Sequence, residues 1–184
     1  MTRAALSLLF SVAPFVAIAQ GLPALVGGDY ALTNQFGAAQ TQADPDGKPQ
    51  LLFFGYANCQ QICSSVLPQM GVVVDEVAAL TGQDVRPVMI TVDPSVDTVE
   101  SLGPALTVYH DDFIGLTGTE AELKVAYDAF AVEIEFLFDD PEFGPIYAHG
   151  SFMYLLDGAG KTLTLIPPVL DDEQIVSIIA KYVS

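Results

Sequence analysis

The chain has 184 residues, 51% of them hydrophobic and only 16% charged, with 23 acidic against 6 basic side chains and a formal charge of -17. That length supports one domain with a substantial core. The charge argues against binding to nucleic acid or to an anionic membrane surface, both of which draw on basic side chains.

Part of the apolar excess sits at the start, where Arg3 precedes the run Ala4-Ala5-Leu6-Ser7-Leu8-Leu9-Phe10 and the stretch closes on Ala17-Ile18-Ala19. A basic section, a short apolar section and small residues before the cut are the parts of a secretory signal peptide. Residues 1–19 are therefore read as a signal peptide cleaved after Ala19, and residues 20–184 as a single domain in an exported, periplasmic protein. An uncleaved segment anchored in the inner membrane is the alternative. Pro14 and a span short of the roughly 20 apolar residues of a membrane helix disfavour it.

Residues 29–33 alternate polar and apolar and predict a short strand of a hairpin that ends near Asp46-Gly47-Lys48-Pro49. Residues 50–55 read as a buried central strand. Val66, Met70, Val73, Val74, Val77 and Leu80 recur at helical spacing up to Thr81-Gly82. Pro68 inside that pattern implies either a helix that starts just before it or a kink that turns the preceding segment away. Residues 86–92 form a second apolar strand, and Asp97 with Glu100 matches a capping pattern that opens a helix broken near Gly103-Pro104. Residues 113–116 predict a short strand. Thr119 with Glu122 caps the next helix, whose buried stripe is Leu123, Ala126, Tyr127 and Phe130. Residues 132–138 predict a strand leading into a loop over 139–144. Residues 152–156 and 163–166 flank the hairpin signal Asp157-Gly158-Ala159-Gly160. Asp171 and Gln174 cap a last helix carrying Ile175, Ile178, Ile179 and Tyr182. Strands alternating with helices and closing on a hairpin and a helix give an α/β fold, a mixed central sheet flanked by helices with an N-terminal hairpin. A strand, a thiol turn and a helix at the start of the core is the layout of a thioredoxin-like domain.

Cys59 and Cys63 are the only cysteines. At i and i+4 on a helix, two sulfurs share one face, the geometry of a two-thiolate metal clip. A helix N-terminus there lowers a thiol below its ordinary ionisation range. In an exported chain a disulfide is the competing reading, although a bridge over so short a loop adds little stability and suits a reversible redox pair better. In a thioredoxin-like layout the loop 146–151, with His149, approaches the cysteines. Two thiolates and a neutral imidazole suit a soft, low-coordinate ion, monovalent copper first, with divalent copper as a second state. A closed zinc site would need a fourth ligand of the same kind, and no further cysteine exists. His110, beside Asp111 and Asp112, reads as a surface residue, Met70 as core and Asp93 as a strand terminator.

Four ordered segments carry a resemblance to the Sco/SenC family of copper-binding thioredoxin-like proteins. They are Phe54-Gly55-Tyr56-Ala57-Asn58-Cys59-Gln60-Gln61-Ile62-Cys63, Thr91-Val92-Asp93-Pro94 with Asp97-Thr98, the run 113–119, and His149 with Tyr154-Leu155-Leu156-Asp157. The resemblance implies that Cys59, Cys63 and His149 bind copper. It also implies a metallochaperone that delivers copper to, or prepares the thiols of, the binuclear copper centre of cytochrome c oxidase. The implied partner is the oxidase subunit carrying that centre, or another copper chaperone, with membrane contact only through a membrane-bound partner or an uncleaved N-terminal segment. Gln60 and Ser64 stand where the family usually has proline, which implies a looser metal loop with more amide donors near sulfur. A thiol-disulfide oxidoreductase using Cys59 and Cys63 is the alternative function. A peroxidase-like enzyme ranks last, because Arg86 is the only arginine beyond the leader to steady a reactive thiolate.

Overall fold

In the computed structural model, residues 26–184 are described, so the signal peptide expected over 1–19 lies outside the described residues. Their frame is set by two apolar runs that become parallel neighbours, β3 (Gln50–Gly55) and β4 (Arg86–Thr91). Strands buried on both faces read as unbroken apolar runs, and all six residues of β3 are buried. The first hairpin joins β1 (Ala31–Asn34) to β2 (Ala39–Thr41). Further along lie β5 (Ile114–Thr117), β8 (Met153–Leu156) and β9 (Thr162–Ile166). They complete a seven-stranded sheet in the order β2-β1-β5-β4-β3-β8-β9, parallel across β3, β4 and β5 and antiparallel elsewhere. The mixed sheet, the flanking helices and the N-terminal hairpin are as the sequence predicts.

Four helices pack on this frame: α1 (Cys63–Thr81), α2 (Val99–Leu106), α3 (Glu120–Ala129) and α4 (Asp172–Val183). Helix α1 lies against β3, β4 and α4, with α2 on β5 and α3 on β1. The capping boxes at Thr119/Glu122 and Asp171/Gln174 form as read, each side-chain cap stabilising its helix by about 1 kcal/mol.

Other expectations are corrected. Asp97 does not cap α2; Thr98 does, with Ser101 completing the box, and Asp97 turns inward. Pro104 does not break α2, which runs on to Leu106. Pro68 likewise sits within α1, so the helix begins at Cys63 rather than at the proline. The strand expected over 132–138 runs instead as β6 (Ile134–Asp140). The loop expected over 139–144 is thereby shortened to the turn after Asp140, and most of the loop expected over 146–151 is instead β7 (Gly144–His149), paired with β6 in a two-stranded sheet separate from the main one.

Candidate metal centre

Because α1 starts at Cys63, the two sulfurs do not share a helix face. Cys59 lies in the turn that leaves β3, where its amide donates to the Tyr56 carbonyl at 3.2 Å, and Cys63 opens the helix. They converge nonetheless, because the chain turns back over the positive end of α1. Both are buried and unbridged.

His149, the last residue of β7, supplies the third donor, on a strand end rather than on the loop the sequence suggests. Its Nδ1 lies 3.0 Å from the Gly150 carbonyl, which can only accept; with the ring proton there Nε2 presents a lone pair to a metal, whereas a proton on Nε2 is donated to sulfur. Nε2 stands 3.8 Å from Cys63 Sγ. The ring is held edge-on by Phe53 and Tyr56, with centroids 5.9 and 6.1 Å away.

Cys59 Sγ, Cys63 Sγ and a His149 ring nitrogen lie within 4.8 Å of one another, the one such group of three potential ligands among the described residues. An ion bonded in a trigonal plane to sulfur at about 2.3 Å and nitrogen at about 2.0 Å needs donors roughly 3.7–4.0 Å apart. Cys63 Sγ and His149 Nε2, at 3.8 Å, already stand at that separation, and no pair in the set exceeds 4.8 Å.

The two thiols are unequal. The Cys63 thiol donates to Cys59, and the His149 ring and the amides of Cys63 and Gln61 add to that; together they outweigh burial and hold the Cys59 thiol at about 4. The same bond, with burial and the charge on Cys59, pushes Cys63 upward. One proton is thus shared by a pair in which both sulfurs would have to be thiolates to ligate a metal fully. The amides acting on Cys59 belong to Gln61 and Cys63, so the extra donors expected from Gln60 and Ser64 are not those that act on it. Ser64 instead donates its hydroxyl to the Gln61 carbonyl at 2.6 Å, fastening the turn.

Several residues take supporting roles that the sequence did not assign to them. Asp97 is 1% exposed and accepts from the Ala57 amide at 3.1 Å and from the Thr91 hydroxyl at 2.7 Å, pinning the metal loop to the end of β4. Asn58 donates to the Phe143 carbonyl at 2.6 Å and so ties that loop to the β6–β7 turn. The buried Tyr56 hydroxyl, pushed up to about 12 mainly by desolvation, accepts from the Tyr147 amide. A Cβ on Gly55 would lie 2.6 Å from the Phe53 ring and 3.1 Å from Cys63 Sγ, so the strand end must be bare for that sulfur to seat. Spacing to the cysteine motif could have flagged Tyr56 and Asn58, whereas Asp97 depends on a contact 40 residues away.

The weaker candidates lie elsewhere. His110 Nε2 is 3.3 Å from Asp75, Met70 is fully buried in α1, and the Asp93 carboxylate accepts from Ser95.

A mixed sheet flanked by helices, with a cysteine pair at the strand-to-helix turn and a histidine facing it, defines a thioredoxin-like protein with an open thiolate-imidazole site. The SCO1/SenC family model matches residues 19–184, and the chain belongs to that family. It is 37% identical over 141 residues to a SCO2-like protein of Rickettsia felis, an alignment covering 75% of this chain and 67% of that one. Arabidopsis thaliana ScoI, solved with copper bound, superposes with a TM-score of 0.80 at 26% identity, over 85% of this chain and 96% of that one. BsSco superposes with a TM-score of 0.62 at 25% identity, over 83% of this chain and 90% of that one. It is described as carrying a disulfide switch and as a member of the Sco family of cytochrome c oxidase assembly proteins.

Proposed function

We propose that this chain is an exported copper metallochaperone that delivers copper to the binuclear copper centre of cytochrome c oxidase, with Cys59, Cys63 and His149 as ligands. The observation that carries the reading is the convergence of two sulfurs and one imidazole nitrogen within 4.8 Å. Copper held by the Arabidopsis relative and the assembly role described for BsSco's family support it. Monovalent copper suits two thiolates and a neutral imidazole, and the same donors can hold the divalent ion. Three ligands leave one side of the ion open. An acceptor thiolate enters there before Cys59 or Cys63 lets go, so transfer proceeds by ligand exchange without releasing free copper.

Titration of the reduced protein with copper against a competing chelator tests this. His149→Ala is expected to weaken binding by more than about 100-fold, since loss of a residue that merely supports a ligand already costs about 10–100-fold. Unchanged affinity would remove His149 from the ligand set.

A second reading, a thiol-disulfide oxidoreductase, is favoured by the unequal thiols. The Cys59 thiolate would attack a target disulfide and expel one sulfur as thiolate. Cys63 would then displace the other, leaving a Cys59–Cys63 disulfide and a target dithiol. Insulin reduction by the metal-free dithiol, surviving in His149→Ala, would favour it.

A further inference from the structure

We propose that the β6–β7 hairpin is a docking surface, and that its occupant is a protein domain presenting an apolar patch rimmed by lysine and arginine. This deepens the metallochaperone reading and rests on it, since the occupant would be the domain that takes the ion.

The hairpin shows solvent what a strand ordinarily buries. Phe136, Leu137 and Phe138 are 53%, 46% and 52% exposed, and Phe152, just past His149, is 45% exposed. The ladder passes from Phe136↔Tyr147 to Phe138↔Ile146, so Leu137 bulges out of register. The Phe136 ring is braced against Tyr147 at 5.9 Å. A contiguous apolar run at a bulged edge marks an interaction site more often than a stray surface residue does.

Charge selects the occupant. Glu133, Glu135, Asp139, Asp140 and Glu142 lie on or beside the same hairpin, and the sequence has no lysine or arginine between Lys124 and Lys161. Lys124 is itself engaged by Asp128 at 2.7 Å. A second copy would bring carboxylates against carboxylates, and an anionic lipid surface would be repelled in the same way. A basic rim around an apolar centre is attracted, with the anatomy of a specific interface: apolar core, charged periphery.

The surface is continuous with the metal centre. His149 pairs with Ile134 in the hairpin itself. A groove of about 840 Å³, lined by Glu133, Glu135, Ala148, His149 and Phe152, runs beside it. A domain seated on the aromatic residues therefore presents its own ligands at the open side of the three donors.

The test uses the copper-loaded protein and, as probe, the soluble domain of the oxidase subunit that carries the binuclear copper centre. Binding and copper transfer are measured for wild type, for Leu137→Ser with Phe138→Ser, and for Glu133→Lys with Glu135→Lys. The first pair is expected to weaken docking by about tenfold or more, as loss of central apolar anchors does. The second is expected to abolish the decline of association rate with rising salt. Copper affinity should stay at the wild-type value in both. If wild type transfers copper and both variants dock and transfer equally well, the docking surface is refuted while the metallochaperone reading stands. Wild type that never metallates the probe domain overturns both. Sedimentation showing a dimer dissolved by the same substitutions would give the patch to a second copy and overturn the proposal.

Discussion

Asp97→Asn offers a quantitative check on how the metal loop is held. Desolvation raises the Asp97 carboxyl from an ordinary 3.8 to about 6, against the opposing pull of the Thr91 hydroxyl and the Ala57 amide. With the folded value above the unfolded one, the native state binds the extra proton between those values. Stability is then fully present below about pH 4 and is lost as pH rises through about 6. A shift of about two units corresponds to roughly 3 kcal/mol. Asparagine keeps an oxygen to accept from Ala57 and Thr91 but never ionises. Urea unfolding of the metal-free protein at a series of pH values measures the effect, and taking the difference between variant and wild type cancels carboxylates common to both. Asp97→Asn should gain roughly 3 kcal/mol relative to wild type between about pH 3 and about pH 8. A difference that stays flat, or moves the other way, would refute the buried-carboxylate account.

Two further outcomes follow from the site's geometry. Gly55→Ala places a methyl group against Phe53 and Cys63 Sγ; overpacking of this kind costs about 1–3 kcal/mol, so thermal melting should fall and copper affinity weaken together, and a variant with unchanged affinity would show that Cys63 does not depend on the bare strand end. In the reduced, metal-free protein, the ultraviolet absorbance of one thiolate should persist as pH is lowered and be half lost at about 4, where Cys59 is held; two thiols titrating together near the ordinary value of about 8.5 would contradict the shared-proton arrangement.

What the sequence reveals follows from where each residue's partners lie. The cores of β3 and β4 and the caps at Thr119 and Asp171 are legible because their signals are local: a fully buried run, or a side chain reaching three residues on. The three donors are legible through the motif around Cys59 and Cys63 and the placing of His149 ahead of β8. Residues 146–149 read as part of a loop over 146–151 because β7 lies in a sheet of two whose partner strand is mostly exposed. No core face imprints a two-residue period there. Asp97 misleads for the opposite reason, since its spacing to Glu100 mimics a cap while its partners are Ala57 and Thr91. Pro68 and Pro104 mislead because tertiary burial of α1 and α2 outweighs one missing backbone hydrogen bond in each.

The donors also come from two independent pieces of architecture. The sulfurs leave the seven-stranded sheet, while the nitrogen ends a ribbon that shares no ladder with it. Any ion gripped from both sides is a removable rivet between Cys63 and His149, 86 residues apart. Its arrival stabilises the folded chain by mass action. No strand pairing depends on such an ion, so under the copper-carrier reading the scaffold would survive its loss.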